Sequence, residues 1–419
     1  MISLRRVVIL ASLVVIVARS APTRAETRWP RWRGPRGDGH SAETSLPVTW
    51  GNDDVAWKVP LTGVGESSPI IWLDRIFLTG AEDGGRERSV LCYDRHDGRL
   101  MWKQTVNFSG TPEGLHSMNT FATPTCVTDG EVVIAFFGRA GLHAYSLDGN
   151  PLWSKDLGTF EGPWGVGASP VLAGDMVVQN GDSDRDAFLE AFDKRTGKSI
   201  WRVPRAERRG WSTPILFDVA GHQELILNGH EGVAAYDPAT GKPLWSCRSF
   251  NGRGEPTATP GDKLVYMVNG LSGDMYAVLP GGQGDVTDSR MAWHTPRKAG
   301  RDLPSPIVIG KYVMVVSMGG IAACYDADDG RSLWQERLVG KFSASPIAAA
   351  GLAYFLAEDG GVVVAEPGPR FKQVARNQIE VDGDEVFRAS LAPCEGQLFL
   401  RSDRALYCVG RQAEAGAAN

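Results

Sequence analysis

The chain has 419 residues, with 50 Gly, 25 Pro and 13 Trp, and a formal net charge of −5. Its apolar runs are short and cut by turn residues, and long amphipathic patterns are missing, which excludes a mainly helical or alternating α/β protein and favours an all-β one. The acidic balance argues against nucleic acid or an anionic membrane as partner, because both recruit basic faces.

Residues 1–25 read as an export signal. Arg5-Arg6 form a positive start, 7–17 an apolar core and 18–25 a small-residue exit. The apolar core is too short to span a bilayer. Cleavage is therefore expected, after Ala25 or alternatively after Ser20 or Ala21, giving a periplasmic or secreted protein without a transmembrane span. Cleavage after Ala25 takes away four arginines and no acid, lowering the net charge from −5 to −9. The cysteines (92, 126, 247, 324, 394 and 408) show no CxxC and no adjacent pair. Three sit beside Tyr in predicted strands, the setting of small buried apolar residues, so mostly free thiols are expected.

Residues 26–54 contain Trp29-Pro30-Arg31-Trp32-Arg33-Gly34-Pro35 and continue to Trp50. They read as an irregular arm laid over the domain, with tryptophans covering apolar surface. Residues 55–58 look like the closing strand of a repeat, but no repeat precedes them.

From there one unit recurs. A Ser-Pro or Thr-Pro step opens it, at Ser68, Thr123, Ser169, Thr213, Ser305 and Ser345. An alternating apolar strand and a variable loop follow. A third strand then runs into a turn of the form Asp-x-x-x-Gly-x-x-x-Trp, complete at Asp94/Gly98/Trp102, Asp193/Gly197/Trp201, Asp237/Gly241/Trp245 and Asp326/Gly330/Trp334. Gly149/Trp153 repeats it one residue short. In such a turn the Asp caps backbone N–H groups and the Gly takes positive φ. Trp57, Trp102, Trp153, Trp201, Trp245, Trp293 and Trp334 recur every 41 to 51 residues. Four strands per unit at that period predict a β-propeller with four-stranded antiparallel blades.

Three units are irregular. The fifth replaces the Asp-Gly turn with Pro280-Gly281-Gly282, the seventh lacks the Trp, and the eighth stops one strand short. Closure of the last blade by residues 55–58 removes the open edge. The count is eight blades over 55–410, with seven as the alternative, and 411–419 form a polar tail expected to be disordered.

These turns and outer-strand tryptophans resemble the PQQ-like, quinoprotein-type β-propeller family, and the arm is similar to that of a secreted planctomycete-type subgroup. The resemblance implies the fold and leaves three functional branches. Quinoprotein alcohol dehydrogenases use PQQ, calcium and an Asp base, often beside a disulfide between adjacent cysteines, which this chain lacks. The outer-membrane assembly lipoprotein propeller is a scaffold of similar build but carries a lipidated Cys, also absent here. Sensor or ligand-binding domains form the third.

Loop chemistry places function on one face. In a four-stranded blade the first-to-second and third-to-fourth turns share a face, and here they are short. The second-to-third and fourth-to-first loops share the other face and are expected to be long, varied and rich in binding residues. The candidates there are His116, Asn180, Asp182, Arg205, Arg209, Trp211, His230, Arg301 and Arg388. Arginine forks read carboxylates, phosphates and sugar hydroxyls, and Trp offers a stacking surface. Two main readings follow, with carbohydrate processing without PQQ, suggested by the Trp, Arg and acid residues of this face, as a third. One is a monomeric, non-catalytic scaffold that takes a small polar ligand or a protein or peptide on this face. The other is a PQQ- and calcium-dependent oxidoreductase acting on alcohols or sugars, with Asp182 or Glu231 as base or metal ligand. Asp182-Ser183-Asp184-Arg185-Asp186 has the alternating oxygens of a calcium loop, but Ala187 and Asp193 stand where the Gly and the bidentate Glu belong.

Overall fold

A computed structural model describes residues 28–248, 254–297 and 301–410. The expected export segment and the C-terminal tail lie outside them. Among the described residues the strands form eight sheets, and α-helix is confined to Thr287–Arg290. The fold is an eight-bladed β-propeller. We letter the four strands of a blade a to d from the axis outward. Blade 1 comprises Ile70–Trp72, Arg75–Glu82, Glu87–Asp94 and Leu100–Asn107. Blade 8 takes strands a to c from Ala392–Cys394, Gln397–Arg401 and Ala405–Val409, and its outer strand is Val55–Pro60 from the other end of the chain. The core lies between neighbouring sheets, as where Ile226, Val233 and Ala235 of blade 4 meet Val265, Met267 and Tyr276 of blade 5.

Around the axis, one hydroxyl per blade ties the sheets into a ring. Ser68 N–H donates to Thr125 Oγ1, Thr125 to Ser169, Ser169 to Thr213 and Thr213 to Thr257. Thr257 then donates to Ser305, Ser305 to Ser345, Ser345 to Ser390 and Ser390 back to Ser68. All eight bonds span 2.9–3.1 Å. A side-chain hydroxyl is needed because these N–H groups are buried and point at a neighbouring sheet, beyond the reach of their own ladder. In blade 2 the member is Thr125, one residue past the Thr123-Pro124 step, and blades 5 and 8 use Thr257 and Ser390, which no such step announces.

The rim is fastened differently. Six of the seven outer-strand tryptophans donate their indole N–H to a carbonyl at the c–d turn of the next blade: Trp57 to Arg95, Trp102 to Leu147, Trp153 to Lys194, Trp201 to Pro238, Trp293 to Ala327 and Trp334 to Gly368. Gly241 shows why that turn needs glycine. Its φ is +71°, and a Cβ there would lie 2.5 Å from the Trp201 ring. Asp237 caps the same turn by accepting from the N–H groups of Ala239 and Thr240. A β-bulge just ahead of the Trp position in every outer strand twists the sheet edge.

Two irregular units follow from this rule. Blade 5 has no Asp-Gly turn to receive Trp245, whose indole instead donates to buried Glu224 of its own blade at 2.7 Å. The same Glu224 oxygen accepts from Gly281 N–H of the substitute turn. Blade 7 faces blade 8, whose third and fourth strands come from opposite ends of the chain and so have no connecting turn. Its outer strand carries Ala375 at the Trp position and binds the arm through Asn377, which accepts from Trp50 N–H and donates to Val48 O.

The arm begins as a short strand on blade 1, pairing Arg28 with Trp72 and Trp29 with Ile71. It then crosses the axis on the short-turn face. Buried Arg33 donates to Thr259 Oγ1 and Pro306 O of blades 5 and 6, and Ser41 N–H to Ala348 O of blade 7. Trp29 and Trp50 of the arm are buried against the blades, and Trp50 stacks on Tyr354.

One expectation about loop length needs correction. The b–c connections are short, down to residues 230–231 in blade 4, and the length lies in the d–a crossings such as 108–126 and 156–170. A b–c turn is a hairpin within one sheet, whereas a d–a crossing must travel from the rim to the axis of the next blade.

Candidate binding site on the axis

On the face opposite the arm, a pocket of about 190 Å³ opens at the axis. Its inner wall obeys a simple register. The residue two places before each ring hydroxyl lines it: Glu66, Thr123, Gly167, Trp211, Glu255, Leu303, Ser343 and Arg388, one from each blade. In an extended strand residues i and i+2 point the same way, so each blade turns one side chain into the ring and the one before it into the pocket. His116, Met118 and Asn119 of the first crossing, Trp164 of the second and Arg301 of the fifth complete the lining.

Charges in the pocket are paired. Arg388 binds Glu66 at 2.7 Å and Glu358 at 3.3 Å. Arg301 binds Glu255 at 3.3 Å and lies over the Trp164 ring, 5.8 Å from its centroid. Burial pushes the Glu66 carboxyl above its ordinary range, against the pull of Arg388. The aromatic side is equally fixed. His116 and Trp164 are 4.4 Å apart between ring centroids, and Trp211 donates its indole N–H to Gly165 O. His116 Nδ1 accepts from Met118 N–H, which places the ring proton of the neutral form on Nε2. Asn119 donates to Trp164 O and Val166 O, stitching the two crossings together.

The crossing that carries His116 is anchored by a pair that sequence reading missed. Arg88 and Glu113 form a two-pronged salt bridge at 2.9 and 2.7 Å, with side chains 0% and 2% exposed. The guanidinium lies over the Phe121 ring at 4.7 Å and the Phe108 ring at 5.3 Å from their centroids. Nothing in the spacing of Arg88 and Glu113 signals their meeting. Glu66 was also missed, although its place two residues ahead of Ser68 was available as a signal.

Of the nine candidate residues, His116, Trp211, Arg301 and Arg388 meet in this pocket, and the other five do not. Asn180 is buried and donates to Ser212 O. Asp182 is gripped by Arg205 at 2.5 and 3.2 Å, and Arg209 pairs with Asp184 at 2.9 Å. His230 joins Asp182 and Arg205 along a separate cleft beside blade 4 that reaches Trp245 and Arg248. Asn180 lies in strand b of blade 3, Asp182 and His230 sit on b–c turns and Arg205 and Arg209 on a crossing, all outside the two-residue register, so sharing a face does not bring them to the axis.

Calcium takes six to eight oxygens. The acids of the pocket are instead bound to arginines, and so are Asp182 and Asp184 of the calcium-like loop. Among the described residues no three His, Cys, Asp or Glu side chains are placed to hold a metal ion. The donor set does not fit a calcium–quinone pair. All six cysteines are buried, and burial raises the Cys92, Cys126, Cys324 and Cys408 thiols to about 12.

The chain matches, over residues 49–179, 86–255, 185–294 and 283–368, a family model described as outer membrane protein assembly factor BamB. It is 24% identical over 279 residues to outer membrane protein assembly factor BamB of Burkholderia pseudomallei (strain K96243), covering 65% of this chain and 67% of that protein. With the protein of that name from Yersinia pestis it shares 21% over 238 residues, covering 51% of this chain and 58% of the relative. Among solved structures, BamB from Moraxella catarrhalis superposes with a TM-score of 0.60 at 16% identity, over 87% of this chain and 99% of that one. Quinohemoprotein alcohol dehydrogenase ADHIIG from Pseudomonas putida HK5 gives 0.64 at 13% identity, over 94% and 82%. At those identities the two structures speak to the fold alone. The family match runs through most of the propeller, and the chain belongs to the PQQ-like repeat family whose model is described as outer membrane protein assembly factor BamB.

Proposed function

We propose that the protein is a non-catalytic scaffold of the cell envelope that engages a protein or peptide partner with the face opposite its arm. The observation that carries this reading is the pairing at the axis. Every acid lining the pocket is bound to an arginine, so no carboxylate stands ready as a base or metal ligand. Asp182, the residue a quinoprotein reaction would recruit, is held in a two-pronged bridge by Arg205. The relatives that bear the assembly-factor name support the envelope setting. An exported protein matches the reading of residues 1–25.

Titration of purified protein with PQQ and calcium, followed by absorbance and by dye-linked oxidation of ethanol and glucose, tests it. The expected result is no new absorbance band and no turnover. Stoichiometric PQQ uptake with turnover would replace the scaffold with an oxidoreductase.

A further inference from the structure

We infer that the axial pocket binds the neutral pyranose ring of a sugar. The argument starts from its paired charges. An anion entering here must displace Glu66 or Glu255 from an arginine, and a cation must displace Arg388 or Arg301 from a carboxylate. Either step leaves a charge without its partner in a poorly solvated site, which is costly. A hydroxyl group displaces neither. It accepts from a guanidinium N–H and donates to the neighbouring carboxylate at once, so an intact Arg–Glu pair is already a receptor for a hydroxyl. The pocket offers two such pairs, Arg388–Glu66 and Arg301–Glu255.

The rest of the lining suits the other half of a sugar. Trp211 and Leu303 supply apolar surface for a face of C–H groups, and Trp is well suited to a ligand with one apolar side and one polar side. About 190 Å³ is room for a single ring rather than a chain or a tricyclic quinone. The arm crosses the axis at the far end, where Arg33 ties blades 5 and 6 together, and the pocket opens on the opposite face. This inference does not depend on the scaffold reading, since partner binding and sugar binding are measured separately.

Saturation-transfer NMR and calorimetry with four probes test it: methyl β-D-glucopyranoside, N-acetylglucosamine, glucuronate and, at pH 6, glucosamine. The two neutral rings are expected to bind at millimolar concentration and the two charged ones at least tenfold more weakly. Leu303→Trp fills the pocket without touching a charge and is expected to abolish binding. Arg388→Lys keeps the charge opposite Glu66 but loses the fork, and is expected to weaken it at least fivefold. Unchanged circular dichroism of both variants shows that the fold is kept. If Leu303→Trp does not fold, displacement of the neutral probe by its own unlabelled form and its loss in Arg388→Lys decide the matter. Failure of both neutral rings to bind, equal or tighter binding of a charged one, or undiminished binding by folded Leu303→Trp would overturn the inference.

Discussion

The backbone N–H of Ser390 donates to the hydroxyl of Ser68 at 2.9 Å, joining residues 322 positions apart. It is one of the contacts that close the propeller into a ring. Beside it Arg401, fully buried in blade 8, donates to Ser67 O and Thr79 O of blade 1. Burial lowers that guanidinium to about 10. Closure thus rests on the outer strand Val55–Pro60 at the rim and on these two contacts at the axis.

Removal of the Ser68 hydroxyl leaves the Ser390 N–H buried with no acceptor. An unsatisfied buried donor costs about 1–3 kcal/mol. Ser68→Ala is therefore expected to lower stability by that amount, read from denaturant unfolding at constant slope. Ser169→Ala, which removes the acceptor of Thr125 in mid-ring, is expected to cost a similar amount. A much larger loss at Ser68 alone would mean that closure, rather than the single bond, is what the hydroxyl secures.

The tryptophans separate two kinds of partner. Trp201→Phe loses one bond to a carbonyl, that of Pro238, for about 1 kcal/mol beyond any packing change. Trp245→Phe takes a donor from Glu224, which is 1% exposed. Hydrogen bonds to charged groups contribute about 1.5–3 kcal/mol. Thermal unfolding of the two variants is expected to place Trp245→Phe lower. Ala375→Trp in blade 7 is expected to bring no stabilisation, because blade 8 has no c–d turn to receive an indole.

The repeat made the fold legible. Asp-x-x-x-Gly-x-x-x-Trp marks the c–d turns because a backbone at positive φ, a cap and a close indole each demand one residue type. The two anomalies in it, at Pro280 and at Ala375, proved to be places where the receiving turn is altered or missing. The site was less legible. Trp211 stands two places before Thr213 of the Thr213-Pro214 step, and the same offset from Ser68 and Ser305 reaches Glu66 and Leu303. Thr257 and Ser390 lack a following Pro, so Glu255 and Arg388 could not be found by that route. Asp182 and Arg205 were grouped with the pocket because loop membership fixes a face but not a radius.

Arg88 and Glu113 hold the crossing that carries His116. Removing one member of a buried pair strands a charge, at a cost of about 3–5 kcal/mol, whereas replacing both by apolar residues is often neutral. Glu113→Leu and Arg88→Met are each expected to destabilise by that order, and the double variant to recover most of the loss. A double-mutant cycle by urea unfolding measures it.

Asp302 provides the pH dependence. It is fully buried, and burial raises its carboxyl to about 6 from 3.8, the nearby Arg297 opposing part of that shift. Between those two values the native state holds a proton that the unfolded chain has released. Stability therefore falls as pH rises through this window. The contribution is fully present below about pH 4 and gone above about pH 7. Asp302→Asn cannot titrate, so it serves as the reference for every other group. Wild-type stability relative to Asp302→Asn is expected to decline by on the order of a few kcal/mol from pH 4 to pH 7, and to stay level from pH 7 to 8. Urea unfolding of both proteins across that range measures the difference. A difference that grew with pH would mean that Arg297 outweighs burial and holds the carboxylate ionised.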